Sequence, residues 1–152
     1  LLPGKPLRDY DDALVDHVMD VNFSAVAKTV RDFLPKMADR SVILLLGSVS
    51  GERGSFDPIY AAGKGAIVAF AKSLAAWTDG RVRVNVVSPS LIENSTMHGD
   101  MSPERQAFHA RSNPGGELVQ STDLAGIVVD LTLPHWKHVN GTVIRVNGGS
   151  YL

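Results

Sequence analysis

Residues 41–64 read SVILLLGSVSGERGSFDPIYAAGK, and this stretch decides the fold class. Its first six residues form a nearly continuous apolar run of strand length, followed by Gly47. Such a run is typical of a strand that is covered on both faces, as in a parallel sheet. A loop rich in Gly and Ser follows, and Asp57-Pro58 then begins a helix, with Asp57 as its predicted cap. The stretch therefore predicts a strand, a loop and a helix in succession.

Helices and strands alternate along the rest of the chain. The predicted strands are residues 41–46, 83–87 and 142–146, and the predicted helices are residues 9–38, 58–77, a short one from 102 to about 113, and a last one capped by Ser121 or Thr122 and ending at 133. The order helix, strand, helix, strand, helix, strand predicts an α/β layer fold with a parallel sheet and right-handed crossovers.

Apolar residues at spacings of three and four predict which helical faces are buried. In the first helix, which Pro35 is expected to kink or end, this face consists of Leu14, Val15, Val18, Met19, Val26, Val30, Phe33 and Met37. In the second helix the residues predicted to point inward are Ile67, Phe70, Ala71, Leu74 and Trp77.

The composition narrows the class of protein. The chain has 152 residues, a net charge of −1 and no cysteine. A length of this order fits a single domain, and the near-zero charge gives no reason to expect a nucleic acid or an anionic membrane as partner. The absence of cysteine excludes disulfides and thiolate catalysis, and it is compatible with the cytoplasm, where we expect the protein to act. The five histidines have no metal-ligand spacing, so we predict no metal site.

Ligands of open α/β sheets bind at the carboxyl ends of the strands. Two side chains that could do proton chemistry follow the first of these ends: Tyr60 and Lys64 are four residues apart and share one face of the second helix. A phenol is a poor acid–base group on its own, but a neighbouring ammonium favours the phenolate and lowers its pKa. A tuned Tyr can then exchange a proton with a carbonyl/alcohol pair, while Ser48 at the strand end can donate a hydrogen bond to the same oxygen.

Several motifs in order resemble the short-chain dehydrogenase/reductase family. They are Asp20-Val21-Asn22, the Ser48 loop, the Tyr60-x-x-x-Lys64 pair, Arg83 to Pro89, and the ending Asn140-Gly141-Thr142 through Asn147-Gly148-Gly149. The resemblance covers nearly the whole chain. It implies a Rossmann-type doubly wound parallel sheet, and an oxidoreductase that transfers a hydride between NAD or NADP and a small-molecule carbonyl or alcohol.

The same resemblance implies a role for each matching residue. Tyr60 would be the general acid or base, Lys64 would lower its pKa and bind the nicotinamide ribose, and Ser48 would polarise the carbonyl. Asn22 would hold a water that links Lys64 to solvent. The implied cofactor-binding residues are Tyr60, Lys64, Pro89, Ser90, Ile92 and Asn94.

Three positions depart from the family's pattern. Ser48 lies twelve residues before Tyr60, about one fewer than the family's spacing, so Ser50 is kept as the alternative. Ser90 stands where Gly is usual after Pro89, which removes conformational freedom. Asn94 stands where Thr is usual, with Ser95 and Thr96 as nearby substitutes.

The largest departure concerns the amino-terminal part of the fold. No strand with a glycine-rich turn, which would hold a dinucleotide pyrophosphate, occurs before Ser41. We therefore expect residues 1–152 to be the C-terminal part of a larger dinucleotide-binding domain. The alternative is a truncated, non-catalytic module that pairs with a partner supplying the missing strands, since residues 41–46 would otherwise form an unpaired apolar edge.

Two further expectations concern surfaces. The irregular stretch after Pro89 and the short helix that follows it are predicted to close over the substrate, through Met97, His98, Met101 and Phe108. The first two helices carry apolar residues beyond one face, namely Val21, Phe23, Val68 and Phe70. Because the resembled family pairs these helices across a two-fold axis, we expect a homodimer or homotetramer.

Overall fold

The computed structural model describes residues 1–150 and contains one parallel sheet of three strands. The strands are β1 (Ser41–Leu46), β2 (Val82–Pro89) and β3 (Val143–Val146), in the spatial order β1-β2-β3. Leu46 lies opposite Val87 in the first parallel pair, and Pro89 lies opposite Val146 in the second. The predicted α/β class and parallel sheet are confirmed, and all three strands end at the same edge of the sheet.

Within residues 1–150, seven α-helices accompany these strands. They are α1 (Asp12–Met19), α2 (Ala25–Phe33), α3 (Ser50–Arg53), α4 (Pro58–Trp77), α5 (Thr96–Gly99), α6 (Pro103–Arg111) and α7 (Ser121–Asp130). A π-helical turn, Asp20–Ser24, joins α1 to α2, and a 3-10 turn that contains Pro35 ends α2. The predicted helix over residues 9–38 therefore exists from residue 12 to residue 36. It begins at residue 12 because the Asp11 side chain accepts a hydrogen bond from the Leu14 main-chain N at 2.8 Å.

The core lies on both sides of β2, whose eight residues are all buried. Val82, Val84 and Val86 pack with Ile67 and Ala71 of α4 on one side of the sheet. On the other side Val87 packs with a second cluster, formed by Val119, Leu124 and Leu131. The chain therefore forms three layers, with α1, α2 and α4 on one face and α7 on the other.

Several details of the helix prediction are wrong, all of them at the ends of helices. Phe33 and Trp77 are 62% and 76% exposed, because each is the last residue of its helix, where the chain turns away. Leu34 is buried in place of Phe33. The last helix has Gln120 at its cap position, with no side-chain cap, rather than Ser121 or Thr122.

The prediction that residues 41–46 are covered on both faces is also wrong. Of the six residues of β1 only Leu45 is buried, and Leu46 is 53% exposed. The residues of β1 are less covered because β1 is an edge strand of the described sheet, whereas β2 has a neighbouring strand on each side.

The helix α4 is the one helix among the described residues whose length and composition would allow it to cross a bilayer. In this structure its inward face lies against the sheet, where Ile67 and Ala71 are each only 1% exposed. We therefore assign its apolar character to the core.

Glycine allows the loop after β1 to lie directly on α4. A Cβ on Gly51 would be 2.5 Å from the carbonyl carbon of Lys64 and 2.8 Å from the main-chain N of Gly65. Distances this short against backbone atoms cannot be relieved by rotating a side chain, so only glycine allows α3 to pack here.

We predict that Gly51→Ala lowers the free energy of unfolding by about 1–3 kcal/mol, because the added methyl separates α3 from α4. The matched control is Gly126→Ala in α7, where a Cβ would meet nothing within 4 Å. That change should instead stabilise the protein by about 0.5–1 kcal/mol, since alanine is the better helix former. Urea denaturation measures both, and equal effects of the two substitutions would contradict this account of the packing.

Candidate active site

The amino-terminal turn of α4 lies at the carboxyl edge of the sheet, and Asp57 determines where it begins. The Asp57 carboxylate accepts a hydrogen bond from the Tyr60 main-chain N at 3.0 Å, which confirms the predicted cap. Pro58 occupies the first turn, where its missing N–H costs nothing. The side chain of Tyr60 is thereby held in the first turn of the helix, only 7% exposed.

Ser48 lies against Tyr60 at the end of β1. Its side chain is buried and close enough to the Tyr60 hydroxyl to lower the pKa of Tyr60. The Ser48 Oγ also accepts a hydrogen bond from the Ser50 main-chain N at 3.1 Å, which fixes its position in the loop. The shortened spacing therefore leaves Ser48 beside Tyr60, and the alternative, Ser50, lines the same cavity.

Lys64 lies one turn further along α4, half-buried below Tyr60. Its Nζ donates a hydrogen bond to the Leu46 carbonyl at 3.0 Å and lies 6.0 Å from the centroid of the Tyr60 ring. The ammonium is thus anchored to the last residue of β1. Two of its three N–H donors remain for other acceptors.

The pKa values at this site are governed by burial. Burial is the largest influence on Tyr60 and raises its pKa above the ordinary value for a phenol; the hydrogen bond with Ser48 acts in the opposite direction, and the negative charge of Asp57 raises the pKa further. Burial also lowers the pKa of Lys64. The structure does not show the expected lowering of the Tyr60 pKa, because burial, which disfavours the charged phenolate, is the largest influence on it.

Asn22 reaches the same site from the π-helical turn between α1 and α2. It is 4% exposed, and its Nδ2 donates to the Val18 carbonyl at 3.0 Å and to the Leu1 carbonyl at 2.8 Å. A Cβ on Gly63 would lie 3.1 Å from the Asn22 Cβ, so the absence of a side chain at Gly63 lets the turn approach α4 closely.

A cavity of about 580 Å³ joins these side chains. Asn22, Ser48, Tyr60 and Lys64 all line it, as do Pro89, Ser90 and Ile92 after β2. Asn94 does not line it: the residue is exposed with a φ of 59°, and Ser95 faces the cavity instead.

The predicted lid is only partly at this cavity. Met97, Met101 and Phe108 line it from α5, α6 and the segment between them, whereas His98 is not among its lining residues. His98 instead accepts a hydrogen bond at its Nδ1 from the Asn94 main-chain N at 3.4 Å. Three of the four predicted residues thus face the space above Tyr60.

Asp57 accepts more hydrogen bonds than the sequence predicts, because the sequence indicates only its role as a helix cap. Asp57 is 2% exposed and accepts hydrogen bonds from Gly4 and Lys5 main-chain N atoms and from the Tyr10 hydroxyl, besides that from Tyr60. The sequence signal for the cap was Asp before Pro. No spacing rule indicates that a residue 47 positions away supplies the Tyr10 hydrogen bond.

Comparison with known proteins finds similar sequences along nearly the whole chain. A family model described as enoyl-(acyl carrier protein) reductase matches residues 2–151. An uncharacterised short-chain type dehydrogenase/reductase of Sinorhizobium fredii is 32% identical over 153 residues, which cover 97% of this chain and 60% of that protein. A 3-oxoacyl-[acyl-carrier-protein] reductase of Vibrio harveyi is 31% identical over 152 residues, covering 96% and 61% of the two chains.

Solved structures share the fold. A short-chain dehydrogenase/reductase of Brucella melitensis, described as a glucose/ribitol dehydrogenase, superposes with a TM-score of 0.93 at 29% identity, covering 98% of this chain and 61% of that one. The chain therefore spans about 60% of the length of the relatives that it matches. The expected Rossmann-type fold is confirmed as a partial one.

We predict that Ser48→Ala raises the pKa of Tyr60 further. The Ser48 hydrogen bond favours the phenolate, so its loss favours the neutral phenol and the phenol titrates at a higher pH. The ¹³Cζ resonance of labelled tyrosine measures this, since the chain has only three tyrosines. Ser50→Ala is the control, and a shift in that variant but not in Ser48→Ala would show that the partner is misassigned.

Proposed function

The chain belongs to the short-chain dehydrogenase/reductase family, and from this premise we propose that it is the catalytic part of an NAD- or NADP-dependent oxidoreductase acting on a small-molecule carbonyl or alcohol. One observation carries the proposal: Ser48, Tyr60 and Lys64 line one cavity at the carboxyl edge of the sheet, and the Ser48 side chain favours the phenolate form of Tyr60. This is a geometry for proton exchange with a bound oxygen.

The residues present fit the nicotinamide end of such a cofactor. Lys64 keeps two N–H donors after its bond to Leu46, which suits it to ribose hydroxyls. Pro89 and Ile92 give the cavity an apolar wall after β2, and Ser90 beside them donates its main-chain N–H to Val146 at 3.1 Å. Ser95 lines the cavity where Asn94 does not, which supports Ser95 as the residue that contacts the cofactor there. When bound, the nicotinamide supplies or accepts the hydride.

The protein's own part in the reaction is to hold and move one proton. In the direction of reduction, Tyr60 donates its hydroxyl proton to the substrate oxygen, and Ser48 donates a hydrogen bond to the same atom. Burial keeps Tyr60 protonated at neutral pH, which suits a general acid. Lys64 stabilises the phenolate that is left, and Asn22 holds a water through which the proton is restored.

A second candidate function is a binding module, and the edge position of β1 favours it. Its apolar strand has no ladder partner on its outer side among residues 1–150, and such edges associate with other strands. A partner protein that supplies strands there would complete the sheet. Intact mass equal to residues 1–152 alone, together with no response to NADH or NADPH, would favour the module over the enzyme.

We also propose that the protein is a cytoplasmic homodimer or homotetramer that pairs through the helices on the α4 side of the sheet. Phe23 and Phe70 contact each other edge to face, with centroids 5.8 Å apart, and they pack with Val68 against the core. Of the four residues expected at the interface, only Val21 remains more than a third exposed, at 42%.

We predict that Tyr60→Phe lowers turnover by more than about 100-fold, the contribution typical of a positioned general acid, while cofactor affinity stays nearly unchanged. Oxidation of NADH and of NADPH with a panel of ketones, together with cofactor titration by fluorescence, measures both. Full activity in this variant would exclude Tyr60 as the proton donor.

We predict that Val21→Glu shifts the sedimentation profile from oligomer to monomer, because it places a charge in an apolar interface. Val129→Glu on α7 is the control, since Val129 is more exposed, at 64%, and lies on the opposite side of the sheet. A monomeric profile of the unsubstituted protein at working concentration would contradict the oligomer.

A further inference from the structure

A buried carboxylate joins the segment before α1 to the catalytic helix. The two oxygens of Asp57 accept four hydrogen bonds: from the main-chain N of Gly4 at 2.9 Å, of Lys5 at 3.3 Å and of Tyr60 at 3.0 Å, and from the Tyr10 hydroxyl at 2.7 Å. All four groups are donors, so the centre of this arrangement must be an acceptor.

The carboxylate is compensated by hydrogen bonds alone. Asp57 is 2% exposed, and no cation of residues 1–150 lies within ion-pair distance of it. A buried anion of this kind is tolerated when several N–H and O–H groups point at it. Its neighbour Tyr10 has a pKa raised first by burial and then by Asp57, so Tyr10 stays a neutral donor over the whole working range of pH.

The segment held in this way is also a wall of the cavity. Leu2 and Gly4 line the cavity beside Asp57 and Tyr60. We propose that Asp57 is a positioning residue, which fastens residues 4–10 to the first turn of α4 and so sets both the wall of the substrate cavity and the placement of the Tyr60 hydroxyl. This proposal rests on the proposed role of Tyr60.

The negative charge of Asp57 also acts on the pKa of Tyr60, which an uncharged hydrogen-bond acceptor would not do. It acts on Tyr60 in the same direction as burial and favours the neutral phenol. The other ionisable groups near Tyr60 are Lys64 on its own helix and Tyr10. Across the cavity lie Arg53 of α3 and Glu104, Arg105 and His109 of α6. Asp57 is the one of these groups that shares a hydrogen-bonded turn with Tyr60.

Two measurements on Asp57→Asn test the proposal without any turnover. The asparagine side chain has one acceptor oxygen instead of two, and its NH₂ group faces the N–H and O–H donors that converge on Asp57. We expect the amides of residues 1–10 to exchange roughly tenfold faster by mass spectrometry, the effect of losing one net hydrogen bond. We also expect Tyr60 to titrate at a lower pH by tyrosine ¹³Cζ resonance, because the negative charge has gone.

The matched control is Asp11→Asn, the same substitution at an exposed helix cap that accepts from Leu14. It should change neither quantity. If Asp57→Asn does not fold, Tyr10→Phe tests the proposal instead, because this substitution leaves the cap of α4 intact. Faster amide exchange of residues 1–10 is again the expected result.

Unchanged exchange in these variants, or an unchanged Tyr60 titration in folded Asp57→Asn, would overturn the proposal. Neither readout depends on cofactor or substrate. A failure of the proposed function in the Tyr60→Phe assay is therefore distinguishable from a failure of this inference.

Discussion

The arrangement of the site depends on how closely the loop after β1 lies on α4. Gly51 brings the short helix α3 to within van der Waals distance of the Lys64 and Gly65 backbone. That contact returns the chain over the end of β1, so that Ser48 reaches the Tyr60 hydroxyl although only twelve residues separate them. Gly63 plays the corresponding part on the other side of α4, where Asn22 approaches. Glycines thus allow Ser48 and Asn22 to approach the helix that carries Tyr60 and Lys64.

Tyr60, the proposed proton donor, lies in an apolar setting, and the influences on its pKa oppose one another. Burial excludes water from Tyr60 but raises its pKa, as does the charge of Asp57, while only the Ser48 hydrogen bond acts in the other direction. Lys64 is partly desolvated as well, with a lowered pKa. A bound substrate oxygen and nicotinamide ribose would add hydrogen-bond partners for both side chains. Burial and the charge of Asp57 therefore both favour the protonated form of Tyr60, as the proposed general-acid role requires.

The sequence was sufficient for the features that depend on local pattern. Strand and helix order, the parallel sheet, the Asp57 cap and the common cavity of Ser48, Tyr60 and Lys64 all follow from periodicity, turn chemistry and the position of strand ends. The sequence was not sufficient for features that long-range packing determines. Trp77 lies on the periodic face of α4 but beyond the edge of the core, and Tyr10 reaches Asp57 across 47 positions. The displacement of Asn94 from the cavity depends on the local backbone, with its φ of 59°.

The central claim is that the end of β1, the end of β2 and the first turns of α4 together form the nicotinamide half of a cofactor site. Titration of ¹⁵N-labelled protein with nicotinamide mononucleotide tests this most directly, because the probe lacks the adenosine half of the cofactor and so tests the nicotinamide half alone. The account predicts amide shifts concentrated at Ser48, at Tyr60 to Lys64 and at Ser90 to Ile92. Saturable shifts at another surface, or none at these residues at millimolar probe, would contradict it.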